Sequence, residues 1–306
     1  MNSKKKRYTW LDIAKGITIM LMVIGHTSIP HYLSNFIWAF HMPLFFMAAG
    51  WTTNWTKRSF SSYFLHRVRT LVLPFVTYSF LVCLVLNNHK DWNGIEHLII
   101  HGWGGYPLWF IPVLFVASIV YCGIRLISYA YCRYMLIVFM LLIGVVLSIY
   151  NIQLPWTMSS VPYAVFLLFI GEKMKIIATW IDNPKWYKII LCFVLTCVIS
   201  LFWRMDLAWN SIMPVIPLTI GAVSGTLMMF LLSSYIDRKY KKLSYMLSAI
   251  GRETYVVVAF ASAIIMMFNQ YVTQNIIVKY FSLIVILWIL VKIKHSVNSY
   301  LHINIL

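Results

Sequence analysis

Ten long apolar segments constrain what this chain can fold into more than any other feature of its sequence. A helix of about 20 apolar residues crosses roughly 30 Å of hydrocarbon, and it satisfies its own backbone hydrogen bonds there. We therefore predict an all-α polytopic membrane protein with about ten transmembrane helices, forming a single domain over residues 1–306. The segments lie near residues 9–29, 36–56, 71–87, 108–127, 134–150, 161–178, 187–203, 211–235, 245–268 and 273–294.

The composition agrees with this fold class and argues against a soluble protein. Of the 306 residues, 61% are hydrophobic and 11% are charged, whereas a soluble domain carries about 25% charged residues. The net charge of +17 comes from short basic clusters between the apolar segments. Such clusters are typical of loops beside membrane lipids, so we predict no nucleic-acid partner. The five cysteines lie in or beside apolar runs without metal-ligand spacing, and we expect them to pack.

The distribution of Lys and Arg predicts the orientation in the membrane. If the N-terminus is cytoplasmic and ten segments cross, 20 of the 25 Lys and Arg residues lie on the cytoplasmic side and three on the outer side. Cytoplasmic loops carry an excess of Lys and Arg, so we predict that both termini are cytoplasmic. The longest outer loop would then span about residues 88–107.

Ionisable residues inside the first two segments are functional candidates, because burying them in a membrane is costly. Lys15 and His26 are eleven residues apart, which places them within about 20° of each other around a helix. We expect both to face one interior cavity, with Asp12 within ion-pair reach of Lys15. His41 lies in the second segment. The alternative is that Asp12 and Lys15 are interface residues and that the histidines are structural.

Other candidates are less specific. Arg67 and Arg69 precede the third segment, where they are either ordinary cytoplasmic charges or an anion site, since guanidinium groups suit phosphate. Trp109 is either an interfacial anchor or a platform for a ligand. Glu172 and Glu253, at segment edges, are most simply partners in local ion pairs. The outer-loop histidines lack convincing ligand spacing, so we predict no metal site there (His89, His97 and His101).

Several of these residues fall in runs that resemble the membrane acyltransferase-3 family, the bacterial O-acetyltransferases of cell-surface glycans. The first run is LDIAKGITIMLMVIGH at 11–26, which resembles the opening of that family. The resemblance is continuous over the first 115 residues and intermittent to about residue 260. The further runs are FHMPLFFMAAGW at 40–51, FLHRVRTLVLPF at 64–75, LWFIPVLF at 108–115 and FLLFIGEKMK at 166–175.

The resemblance implies transfer of an acyl group, usually acetyl, from cytoplasmic acetyl-CoA to a hydroxyl of a cell-surface or lipid-linked glycan. It also implies a multi-pass protein of the bacterial inner membrane. Lys15 stands where the family has Arg or Lys, and His26 where it has its essential histidine. His41, Arg67 and Trp109 also fall on family positions.

These positions suggest which residues take part in catalysis and which bind the donor. We expect His26, with Asp12 and His41, to form the catalytic group, because an imidazole can take a hydroxyl proton near neutral pH. We expect the donor, acetyl-CoA, to bind at a second set of residues. That set comprises Lys15, Arg67, Arg69 and Trp109.

Two departures from the family pattern leave other functions open. The second Arg of the family's Arg-x-x-Arg run is replaced by Thr70, and IGRETYVVVAF at 250–260 lacks the histidine that often ends the corresponding segment. One alternative is a transporter or flippase that uses Asp12, Lys15, His26 and His41 as a relay. Another is a membrane module without catalytic activity. The sequence leaves the oligomeric state open.

Overall fold

Helices account for all the regular structure in the described part of the chain. The structure, a computed structural model, describes residues 7–27, 29–55, 59–86, 107–255 and 257–260, together with the single positions 285 and 289. In that part the elements are α1 (Thr9–Gly25), α2 (His31–Thr52), α3 (Phe60–Arg67), α4 (Leu73–Leu86), α5 (Phe110–Leu126), α6 (Ala130–Ile149), α7 (Val161–Lys173), α8 (Ala178–Asp182), α9 (Trp186–Phe202), α10 (Val215–Lys239) and α11 (Lys241–Arg252).

The apolar segments predict these helices well as far as residue 239. Each of the first eight segments contains a helix, and α2, α6 and α10 are long and apolar enough to cross a membrane. Only 11% of the most apolar stretch of α6 is buried inside the protein. A helix that exposes so much apolar surface is typical of one that contacts lipid, because water would make such exposure costly.

The ninth segment differs from the prediction. Instead of one helix from residue 245, the structure has the short helix α11, which ends at Arg252, and a new helical stretch that starts after Glu253. Lysines begin α11 and serines line its buried face, so it is too polar for a continuous apolar span. The remainder of that segment after residue 260, the tenth segment apart from the single positions 285 and 289, and the outer-loop histidines His89, His97 and His101 lie outside the described residues.

Two close helix crossings hold the bundle together, and each depends on glycine. At the crossing of α1 and α11, a Cβ atom on Gly16 would lie 2.2 Å from the carbonyl oxygen of Leu247. At the crossing of α2 and α7, a Cβ atom on Gly50 would lie 2.1 Å from the carbonyl oxygen of Leu168. Small residues allow backbones to approach in this way when helices pack in a membrane. Helices α1 and α2 are therefore fixed from both sides.

Candidate functional site

Asp12 is the centre of an ion-pair cluster in the first turn of α1. Its carboxylate is buried, with Lys15 Nζ 2.8 Å from Oδ1 and Arg7 Nε 2.7 Å from Oδ2. The predicted ion pair between Asp12 and Lys15 is therefore present, because side chains three residues apart meet on one face of a helix. Since a cation holds each carboxylate oxygen, the geometry favours a positioning role for Asp12 over a role as a base.

A cavity of about 740 Å³ lies beside this cluster, and we call it the basic cavity. Glu172, in its wall, lies 3.2 Å from the guanidinium of Arg125 and accepts a hydrogen bond from the Tyr121 hydroxyl. Lys175 Nζ donates to the carbonyl oxygen of Thr53 over 2.9 Å. Four cationic and two anionic residues line the basic cavity. The cationic residues are Arg7, Lys15, Arg125 and Lys175, and the anionic residues are Asp12 and Glu172. This surplus of positive charge suits an anionic ligand.

Trp55 lines the basic cavity and has a buried, unpaired indole N–H among the described residues. Its side chain is buried, and its ring packs edge-on against Tyr121 with the centroids 4.7 Å apart. Leaving a buried donor unpaired costs about 1–3 kcal/mol.

The three predicted donor-binding cations are not all brought together. Arg67 lies behind the wall of the basic cavity, where Nε donates to the Tyr63 hydroxyl over 2.7 Å and Nη2 to Thr53 Oγ1 over 3.0 Å. Arg69 is exposed and lines none of the cavities described in this section. Thr70 lines a second cavity, described next, although its side chain is exposed. Of the three cations, Lys15 lines the basic cavity, Arg67 contacts its wall through Thr53, and Arg69 lies outside it, so the described residues do not bring them together as one site.

A second cavity, of about 270 Å³, continues from the basic cavity, and we call it the middle cavity. The two share Leu11, Lys15 and Thr52, so they adjoin at these residues. Most of the residues that line the middle cavity are apolar, and five are polar. These are Lys15, Thr52, Thr70, Thr254 and Tyr255.

The third cavity, of about 120 Å³, lies at the other end of α1 and contains both histidines, so we call it the histidine cavity. His26 follows the last residue of α1 and is exposed, whereas His41 is buried in α2. The Trp38 ring lies between them, 5.1 Å from His26 and 5.0 Å from His41 between centroids. His41 Nδ1 is 3.0 Å from the Ile37 carbonyl oxygen, which can only accept. Nδ1 therefore carries the proton, and Nε2 is left as an acceptor.

The structure adds two charged residues that the sequence did not single out, Arg204 and Asp206. They lie in the connection between α9 and α10, and the guanidinium of Arg204 covers the Trp38 ring at 4.5 Å from its centroid. Asp206 lines the histidine cavity, and its Oδ1 accepts a hydrogen bond from the Ala208 N–H over 3.0 Å. Burial raises the pKa of Asp206, although this hydrogen bond and the charge of Arg204 oppose the shift. The one sequence signal was the charged pair RMD between two apolar segments.

Among the described residues, Lys15 and His26 line different cavities, in contrast to the expectation that they face a single one. The middle cavity contains Lys15 and the histidine cavity contains His26, and three apolar residues line both: Phe45, Phe110 and Val258, which we call the junction. We expected Trp109 to belong to the donor-binding residues, but Trp109 lines the histidine cavity. Three cavities that share lining residues therefore adjoin one another between the ion-pair cluster and the histidines.

Comparison with known proteins gives one match. The family model described as "Acyltransferase domain", that of the acyltransferase-3 family, matches residues 8–292. No curated protein and no solved structure matches the chain. The matched range includes every residue that lines the three cavities, apart from Arg7.

Proposed function

The chain belongs to the acyltransferase-3 family, and we propose that it transfers an acetyl group from acetyl-CoA to a hydroxyl of a cell-surface or lipid-linked glycan. The observation that carries this proposal is the row of three adjoining cavities, with cations at one end and two histidines at the other. An acyl transferase with a long anionic donor needs this separation, because the phosphates and the thioester of coenzyme A are far apart.

The basic cavity is the proposed site for the phosphates and the nucleotide of the donor. Phosphate is a strong acceptor for Lys and Arg, and a volume of about 740 Å³ lies within the usual range of ligand sites. Lys15 and Lys175 are placed to meet phosphate oxygens. The pantetheine arm would then pass Lys15 into the middle cavity, where the threonines can bind its amides.

The histidine cavity is the proposed place of reaction. His26 is exposed at its edge, where an acceptor can approach, and it is the proposed base that takes the hydroxyl proton. His41 is held in one orientation by Ile37, so its Nε2 can accept a hydrogen bond from the acceptor. Trp109 offers an aromatic surface for a sugar ring, and the Asp206 carboxylate can accept hydrogen bonds from sugar hydroxyls. We assign acceptor binding to these last two residues.

The proposed topology places the basic cavity on the cytoplasmic side of a bacterial inner membrane. It has about ten membrane-spanning helices and both termini in the cytoplasm. The 20-to-3 distribution of Lys and Arg supports it, and so does the position of acetyl-CoA in the cytoplasm. A reporter fused after residue 306 should then be cytoplasmic, and one inserted into residues 88–107 should be external. The opposite result at both places would overturn this orientation.

Acyl transfer is tested by incubating the purified protein with labelled acetyl-CoA and native membranes. We expect label to appear on membrane glycans, and His26→Ala to abolish it. His31→Ala is the matched control, because His31 lies on α2 like His41 but is exposed and lines none of the three cavities. Movement of a glycan across the membrane without any acyl donor would instead support the transporter alternative. Absence of label with the wild-type protein would contradict the proposal.

A further inference from the structure

The junction is the place where the donor and the acceptor would have to meet. Phe45 from α2, Phe110 from α5 and Val258 are the residues that line both the middle cavity and the histidine cavity. Among the described residues, a thioester that arrives through the middle cavity would therefore pass these three side chains to reach the histidines. All three are apolar, so they can limit the size of an acyl group but cannot hydrogen-bond to it.

The junction is also held in place. Val258 is 1% exposed and the two phenylalanines are buried, with their ring centroids 5.9 Å apart and their planes inclined by 34°. Helix α2, which carries Phe45, also packs closely against α7 at Gly50. Well-packed interiors accommodate an extra methylene group poorly. A longer acyl chain would therefore meet side chains that have little room to yield.

From this geometry we propose that Phe45, Phe110 and Val258 determine which acyl group is transferred, and that they select a short one; the inference rests on the proposed function. In the reaction the bond between the carbonyl carbon and the donor sulfur breaks, and a bond from that carbon to the acceptor oxygen forms. The hydroxyl proton passes through a histidine to the leaving thiolate, which departs as the thiol of coenzyme A. Throughout, the tail of the acyl group lies against the junction and in the small histidine cavity.

Val258 is the most informative of the three residues. Its position in IGRETYVVVAF is the one where the family often has a histidine, so this chain has an apolar side chain where others have a polar one. Val257 gives a matched comparison, because it is the preceding residue, is 0% exposed and lines neither cavity. Replacing either valine by alanine removes the same two methyl groups, but only one replacement enlarges the junction.

The experiment is a competition between differently labelled acetyl-CoA and butyryl-CoA for transfer to native membranes. The ratio of the two products gives the ratio of kcat/KM values and is independent of the identity of the acceptor. Methylene-sized differences in apolar pockets change such ratios by about 10–200-fold. We expect the wild type to prefer acetyl, Val258→Ala to reduce the preference by about 10-fold, and Val257→Ala to leave it within about twofold.

A second variant keeps the test informative if Val258→Ala does not fold, as judged by size-exclusion chromatography. Phe110→Leu shortens a junction side chain but keeps it apolar, and it should shift the ratio in the same direction. Equal transfer of acetyl and butyryl by the wild type would overturn the inference. So would a wild-type ratio in active Val258→Ala and Phe110→Leu proteins. Both results leave the proposed function intact, whereas no transfer from either donor by the wild type would overturn both.

Discussion

At the Lys15 end of α1 the charges are paired with one another, whereas at the His26 end the polar groups are surrounded by aromatic rings. Asp12 is held by two cations and Glu172 by Arg125. His26 and His41 instead pack against Trp38. A network of paired charges suits binding of an anion, since it holds the cations in place. Neither imidazole is paired with a carboxylate among the described residues, which leaves a ring nitrogen available for the transfer of a proton. The two ends therefore differ as a binding site differs from a reaction site.

Removal of the proposed base should have the largest effect and should leave the Lys15 end unchanged. We expect His26→Ala to reduce acetyl transfer by about 10²–10⁴-fold, the usual range for loss of a general base. Binding of acetyl-CoA, measured by equilibrium dialysis, should remain within about twofold, because His26 lies beyond the junction. Near-normal transfer by a folded His26→Ala protein would place the base elsewhere. Joint loss of donor binding and thermal stability would show that His26 is structural.

Removal of a cation at the Lys15 end should instead weaken binding of the donor. We expect Lys15→Met to raise KM for acetyl-CoA by about 10-fold or more, because a hydrogen bond to a charged group contributes about 1.5–3 kcal/mol. The loss should be smaller at high salt, which already weakens phosphate contacts. Lys242→Met, which changes an exposed lysine on α11, is the control and should have no effect. An unchanged KM in Lys15→Met would remove the donor from the basic cavity.

The sequence predicts local features of both ends and misses those that depend on packing between distant segments. The pair of Asp12 and Lys15 follows from three-residue spacing in one helix, and the apolar runs give the helices because span length is set by membrane thickness. Asp206 reaches the histidines only through the packing of α9 and α10 against α2. The three residues of the junction likewise come from three separate parts of the chain, so no spacing in the sequence relates them.

The region of Arg69 and Thr70 shows a different limit. Residues Val68–Val72 form a π-helical turn, which is wider than an α-helical turn. Counting residues around an α-helix from Arg67 therefore gives wrong directions for the positions that follow. Single π-turns within α-helices are frequent at functional sites, and they leave no clear trace in the sequence. The sequence could place this basic run near the site but could not show which of its residues faces inward.

Asp206 provides an intermediate test of the reaction end. We expect Asp206→Asn to lower transfer by about 10-fold, because an amide is a weaker acceptor for sugar hydroxyls than a carboxylate. Since burial raises the pKa of Asp206 above its ordinary value of 3.8, transfer by the wild type should fall in mildly acidic solution as the carboxylate becomes protonated. The pH profile of Asp206→Asn should lack the fall in transfer that protonation of Asp206 causes.

Stability separates this role of Asp206 from a structural one. A carboxyl group whose folded-state pKa is raised stabilises the fold at low pH, and this contribution is lost as the pH rises through that pKa. At pH 8 the ionised carboxylate therefore disfavours folding, and Asp206→Asn should be as thermally stable as the wild type or more so. A lower melting temperature together with lower activity would indicate that Asp206 only holds the connection between α9 and α10.

Replacement of Arg69 should have the smallest effect on donor affinity. It tests whether the donor site is limited to the basic cavity. An exposed charge outside the basic cavity contributes little, since surface ion pairs contribute about 0–1 kcal/mol and salt screens them over about 10 Å. We therefore expect Arg69→Ala to change donor affinity by less than about twofold.

Arg67→Ala should weaken donor affinity several-fold, because Thr53 in the cavity wall loses the hydrogen bond from Arg67 Nη2 that holds Thr53 in place. Isothermal titration of both variants with acetyl-CoA at low and high salt measures the difference. If Arg69→Ala weakened binding as much as Lys15→Met, the donor would extend over the exposed face of the π-turn, and the basic cavity alone would not define its site.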